Sequence, residues 1–114
     1  MNILVIDDNV GITDMLYKFL TVKKHKCTVL NDPKKSVKMI QQKKFDVVIL
    51  DLAMPEFTGL DAIDSLNELD RSKIIVLTAT IIDNKLMDEM KSKGVTKILQ
   101  KPISNDKLLN VIEG

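Results

Sequence analysis

At 114 residues, 45% hydrophobic and 29% charged, the chain has the length and balance of one soluble globular domain with a modest core. Seventeen basic and sixteen acidic residues nearly cancel, so charge points neither to a nucleic-acid nor to a membrane-surface partner. The lone Cys27 excludes an internal disulfide and suits a reducing, cytoplasmic setting.

The first element is the apolar run "NILVI", residues 2–6, followed by Asp7-Asp8. "MNILVIDD" has no basic leader or small-residue cleavage pattern, so it reads as a strand and not a signal peptide. A helix follows, with Ile12, Met15, Leu16, Phe19 and Leu20 on one stripe. "CTVL" (27–30) is the second strand. Asp32-Pro33, a capping residue before a proline, predicts the start of the second helix, which continues through Val37 and Ile40. "VVIL" (47–50) is the third strand and ends in Asp51. After the loop "MPEFTG", a third helix is predicted along Leu60, Ile63, Leu66 and Leu69.

"IIVL" (74–77) is the fourth strand, ending in Thr78. A fourth helix is predicted from about Asp83, with Leu86 and Met90 inward and Gly94 as its stop. "KIL" (97–99) is the fifth strand and runs into Lys101-Pro102. A last helix begins after Ser104 or Asn105, carries Leu108, Leu109 and Ile112, and ends with the chain at Gly114. The lysine-bearing runs 23–26 and 41–46 fall at helix ends, where cations complement the dipole, and are read first as solvated turns and second as contacts for an acidic partner.

Strict β/α alternation with continuous apolar strands predicts a (βα)5 doubly wound parallel sheet, covered on both faces, as a single domain over residues 1–114. No stretch approaches the ~20 apolar residues of a membrane span. Three Phe, one Tyr and no Trp leave little to stack against single-stranded nucleic acid.

In open α/β sheets ligands bind beyond the carboxyl ends of the strands, where strand order reverses. With the flavodoxin-like order 2-1-3-4-5, the carboxylates of Asp7, Asp8 and Asp51, the Thr78 hydroxyl and the Lys101 ammonium all fall on that rim. Each alone has an ordinary reading as cap, strand end or turn. Their coincidence points to a site. Three carboxylates at ~5 Å repel by on the order of 3 kcal/mol per pair at an effective dielectric near 20. A proton or a bound cation relieves this. All-oxygen ligands in a half-open crevice suit Mg²⁺, and a lysine and a hydroxyl beside a metal-bound carboxylate suit a phosphoryl group.

From "ILVIDD" through "VVILDLAMPEFTG" and "IIVLTAT" to "LQKP", the chain resembles the CheY-like receiver domains of two-component response regulators over its whole length. The resemblance implies that Asp51 is the phosphoacceptor. It implies that Asp8, Asp51 and the Ala53 backbone carbonyl hold Mg²⁺ (with Mn²⁺ as a substitute), Asp7 acting largely through water. Thr78 and Lys101 would each meet a phosphate oxygen, and the Lys101-Pro102 bond would be cis. A sensor histidine kinase or histidine phosphotransfer protein is the implied donor. The implied output surface joins the fourth helix, fifth strand and fifth helix, with Lys85, Met87, Lys91, Ile98 and Lys107. Many receivers carry Tyr or Phe where this chain has Ile98, so the threonine–aromatic switch is not available in its usual form. Ala53 and Thr80 occupy the variable rim positions.

Two other readings compete. A haloacid-dehalogenase-like phosphatase would need Asp-x-Asp after the first strand, whereas Asp7 and Asp8 are adjacent. A phosphorylation-independent scaffold would be expected to lose part of the acid–lysine set, and all of it is present. The expected role is a stand-alone phosphorylatable signalling module and not an enzyme.

Overall fold

A computed structural model describes residues 1–54 and 58–114; Pro55, Glu56 and Phe57, in the predicted loop after Asp51, lie outside the described residues. Five parallel strands, β1 (Asn2–Ile6), β2 (Lys26–Leu30), β3 (Val47–Leu50), β4 (Ile74–Thr78) and β5 (Lys97–Gln100), form one sheet in the order β2-β1-β3-β4-β5. The helices are α1 (Val10–Val22), α2 (Ser36–Gln42), α3 (Gly59–Asp64), α4 (Glu68–Arg71), α5 (Asn84–Ser92) and α6 (Asn105–Glu113).

The apolar runs are continuous because successive side chains go to opposite faces and both faces are covered. Leu4, Ile6, Val48, Leu50 and Val76 pack with Ile40 of α2, Ile63 of α3 and Met90 of α5. Ile3, Val5, Ile49, Ile75 and Leu77 pack on the other side with Leu16 and Leu20 of α1 and Leu108 and Ile112 of α6. The central strands β1, β3 and β4 are almost wholly buried, while the edge strands β2 and β5 are partly exposed. Met15, assigned above to the α1 stripe, lies at its margin and is 47% exposed.

Most helix starts are fixed by side-chain caps. Asn9, Asp83 and Ser104 accept hydrogen bonds from the backbone N–H groups of Ile12, Leu86 and Lys107. Asp32-Pro33 opens a 3₁₀ turn, Pro33–Lys35, which leads directly into α2. Gly94 ends the α5 region at φ +87°, a left-handed conformation.

The predicted third helix is two helices. The Leu60-Ile63-Leu66-Leu69 period is interrupted because Asn67 caps a new start, its Oδ1 accepting from Asp70 N at 2.8 Å. Leu66 is buried, but Leu69 is 67% exposed, so the stripe ends where the chain turns. Arg71 then satisfies carbonyls that the break leaves open. Its Nε donates to Ile63 O and Leu66 O, each at 2.9 Å, and its Nη2 to Asp64 O at 3.2 Å. Its Nη1 reaches Lys93 O at 3.4 Å, and Lys93 pairs with Asp64, tying α3 to the end of α5.

Candidate functional site: an acidic crevice at the carboxyl rim of the sheet

β1 and β3 are neighbours, paired Ile6↔Leu50, so the residues that follow them emerge side by side. The ladder continues one step, Asp51 N–H donating to Ile6 O at 3.2 Å. One carboxylate oxygen from each of Asp7, Asp8 and Asp51 lies within 4.8 Å of the others. Asp7 and Asp51 are buried, at 4% and 6% exposure, whereas Asp8 is exposed.

Lys101 arrives from the far side. Its N–H donates to Thr78 O at 2.8 Å, so β4 carries the lysine backbone to the rim. The Lys101-Pro102 bond is cis. Nζ then bridges the two buried carboxylates, 2.7 Å from Asp7 Oδ2 and 3.1 Å from Asp51 Oδ2. Burial pulls the Lys101 ammonium down, but the hydrogen bonds to Asp7 and Asp51 and their charges outweigh it, and its pKa stands above the ordinary 10.5.

The other oxygens of Asp7 and Asp51 are held by backbone. Asn9 N–H donates to Asp7 Oδ1 at 2.9 Å, and Ala53 N–H donates to Asp51 Oδ1 at 3.2 Å. Thr78, fully buried, accepts from Thr80 N–H at 3.1 Å through its hydroxyl. Gly59 closes the floor: its N–H donates to Leu52 O at 3.0 Å, and a Cβ there would sit 2.5 Å from Asp51 O. Three carboxylates in one partly open crevice form an all-oxygen donor set that fits a hard divalent cation. Lys101 offsets only part of their charge.

Two cavities open elsewhere on the surface, one beside this rim and one towards the amino end of β5. An apolar cavity of about 300 Å³, lined by Ile12, Met15, Leu16, Leu77 and Ile103, adjoins Lys101. A second, of about 400 Å³, lies on the α5–β5 face between Met87, Lys91, Val95, Thr96 and Ile98. Ile98 is half-buried, paired with Val76 in the ladder and packed on the core beneath α5. Sequence reasoning missed Asn31, whose side chain reaches the Asp7 carbonyl at 2.8 Å. No periodicity or spacing singles out a polar residue after an edge strand, so only the folded geometry reveals it.

The topology is the CheY-like form of the flavodoxin fold. Residues 3–113 match the response regulator receiver domain, and the chain belongs to that family. It is 32% identical over 111 residues to the transcription factor SKN7 of Candida albicans, covering 96% of this chain but 20% of that protein. The chain thus spans about a fifth of that relative's length. The receiver domain of the Francisella response regulator 1452 superposes with a TM-score of 0.86 at 25% identity, over 98% of this chain and 93% of that one. The Vibrio cholerae chemotaxis protein CheY4 gives 0.82 at 26% identity, over 98% and 95%. The chain is thus a receiver domain of the kind found in two-component response regulators.

Proposed function

We propose that the domain accepts a phosphoryl group on Asp51, from a phosphohistidine of a kinase or phosphotransfer protein or from a small acyl phosphate, in the presence of Mg²⁺. The observation that carries this reading is the Lys101 bridge: one ammonium held between the two buried carboxylates, Asp7 and Asp51, beside the exposed Asp8. An Asp51 carboxylate oxygen attacks phosphorus in line. The new O–P bond forms as the P–N bond of the phosphohistidine, or the P–O bond of the acyl phosphate, breaks, and the imidazole or the carboxylate leaves with the bonding electron pair. Lys101, whose raised pKa keeps it charged, turns from Asp51 to a phosphoryl oxygen. Thr78 redirects its hydroxyl towards another.

Asp8, Asp51 and the Ala53 carbonyl would hold Mg²⁺, with Asp7 contributing largely through water. When bound, the ion neutralises the carboxylates and the developing charge on phosphorus. The apolar surface of α1 beside Lys101, including Met15, suits a donor's helix. The output is a binding event on the α5–β5–α6 face, or transfer onward to another histidine.

Incubation with Mg²⁺ and acetyl phosphate or a phosphoramidate should add one phosphoryl mass to the wild type and none to Asp51→Asn. Equal labelling of Asp51→Asn would refute the acceptor assignment. A wild type that is never labelled would instead favour a phosphorylation-independent binding role.

A further inference from the structure

The β1–β2 ladder ends at Ile6↔Leu30, extended by one bond from Asp7 N–H to Leu30 O at 3.2 Å. Beyond it the backbones part, as β2 turns into Asp32-Pro33. The next acceptor on β1 is the Asp7 carbonyl. The Asn31 side chain takes it, Nδ2 donating to Asp7 O at 2.8 Å. The same nitrogen donates to Thr13 Oγ1 at 2.9 Å, so both amide hydrogens are used. A carbonyl only accepts, which fixes the amide with its nitrogen towards Asp7. Thr13, fully buried in α1, passes the bond on, its hydroxyl donating to Val10 O at 3.1 Å.

The Asp7 carbonyl belongs to the peptide that joins Asp7 to Asp8. A rotation of that peptide swings both carboxylates. Asp7 has other restraints, from Lys101 on Oδ2 and from Asn9 N–H on Oδ1. The exposed Asp8 side chain has no hydrogen bond or ion pair among the described residues, so its direction depends on the backbone beneath it. We infer that Asn31 is a positioning residue for the cation site: by holding the Asp7–Asp8 peptide it aims the Asp8 carboxylate into the crevice. The inference rests on the proposed binding of a divalent cation. Second-layer hydrogen bonds of this kind commonly change metal affinity by 10–100-fold.

Two variants separate positioning from general stability. Asn31→Leu keeps the shape and removes two hydrogen bonds, including the one to Asp7. Thr13→Val also removes two, but leaves the Asp7 bond in place. Mg²⁺ alone, titrated calorimetrically into the unphosphorylated full chain, is the probe. Asn31→Leu should raise the Mg²⁺ Kd about tenfold, while Thr13→Val stays near wild type although both melt earlier. Asn31→Ala, which adds no bulk, should match Asn31→Leu. Wild-type affinity in Asn31→Leu or Asn31→Ala, or an equal loss in Thr13→Val, would overturn the inference and leave the proposed phosphorylation standing. A wild type that binds no Mg²⁺ would overturn both.

Discussion

Replacing Lys101 with methionine keeps most of the side-chain stem and removes the ammonium between two buried carboxylates. At 2.7 and 3.1 Å and an effective dielectric near 20, each contact amounts to about 5–6 kcal/mol of Coulomb attraction before desolvation. Much of that is cancelled by the cost of burying the charges. Breaking such a pair from one side costs about 3–5 kcal/mol, because the partner charges stay buried and unmatched. For a domain of this size that is a fall in melting temperature of about 10–20 °C. The assay is thermal unfolding followed by circular dichroism at neutral pH, first in chelator and then with Mg²⁺. At ten times its Kd, Mg²⁺ should stabilise the wild type by about 1.4 kcal/mol. Its effect on Lys101→Met should be larger, since no ammonium competes for the carboxylates. The folded pKa of Lys101 is raised, so its contribution is fully present below 10.5 and is lost only as pH climbs through the higher folded value. The gap between wild type and variant should therefore persist across neutral pH and close in strong alkali. A variant that melts with wild type in chelator would refute the claim that Lys101 balances this site.

A Cβ at residue 59 would meet the Asp51 carbonyl oxygen at 2.5 Å and Leu52 Cα at 2.9 Å, both backbone atoms, so Gly59→Ala should cost about 3 kcal/mol in urea unfolding. An unchanged midpoint would mean that α3 is not pressed against Asp51 and Leu52. Arg71→Met removes the donors to four carbonyls at the ends of α3 and α5 and should also cost about 3 kcal/mol, with faster amide exchange around α4. Exchange unaltered there would show that the guanidinium holds nothing in place. Burial pushes the Cys27 thiol up to about 11, against 9.0 when free. At pH 8 its alkylation should be about a hundredfold slower in the folded than in the unfolded chain, and equal rates would count against a thiol shielded by the fold.

The strands were legible because a buried parallel sheet demands unbroken apolar runs: Val47–Leu50 and Ile74–Thr78 admit little else. The rim followed from topology. Once β1 and β3 are neighbours, Asp7 and Asp51 emerge together whatever their loops do. The break between α3 and α4 was hidden because Leu66 and Leu69 keep the helical period across it. The Asn67 cap is a local bond to Asp70 N–H, but the break it starts is tied down by a distant contact, Arg71 to Lys93 O at the end of α5. Asn31 was hidden for a related reason. A side chain that bonds to a distant backbone carbonyl leaves no periodic trace.

The charge count at the rim has a kinetic consequence. Three carboxylates and one ammonium leave two net negative charges at the rim, which under the proposed function would face a phosphodonor that is itself an anion. Close approach is then uphill, and the barrier is lowest only when a divalent cation and the donor are present together. Under that proposal the crevice would act as a coincidence gate. Cation concentration should govern how often an encounter ends in transfer, and a donor that brings its own positive surface should outpace a small free anion of equal chemical reactivity.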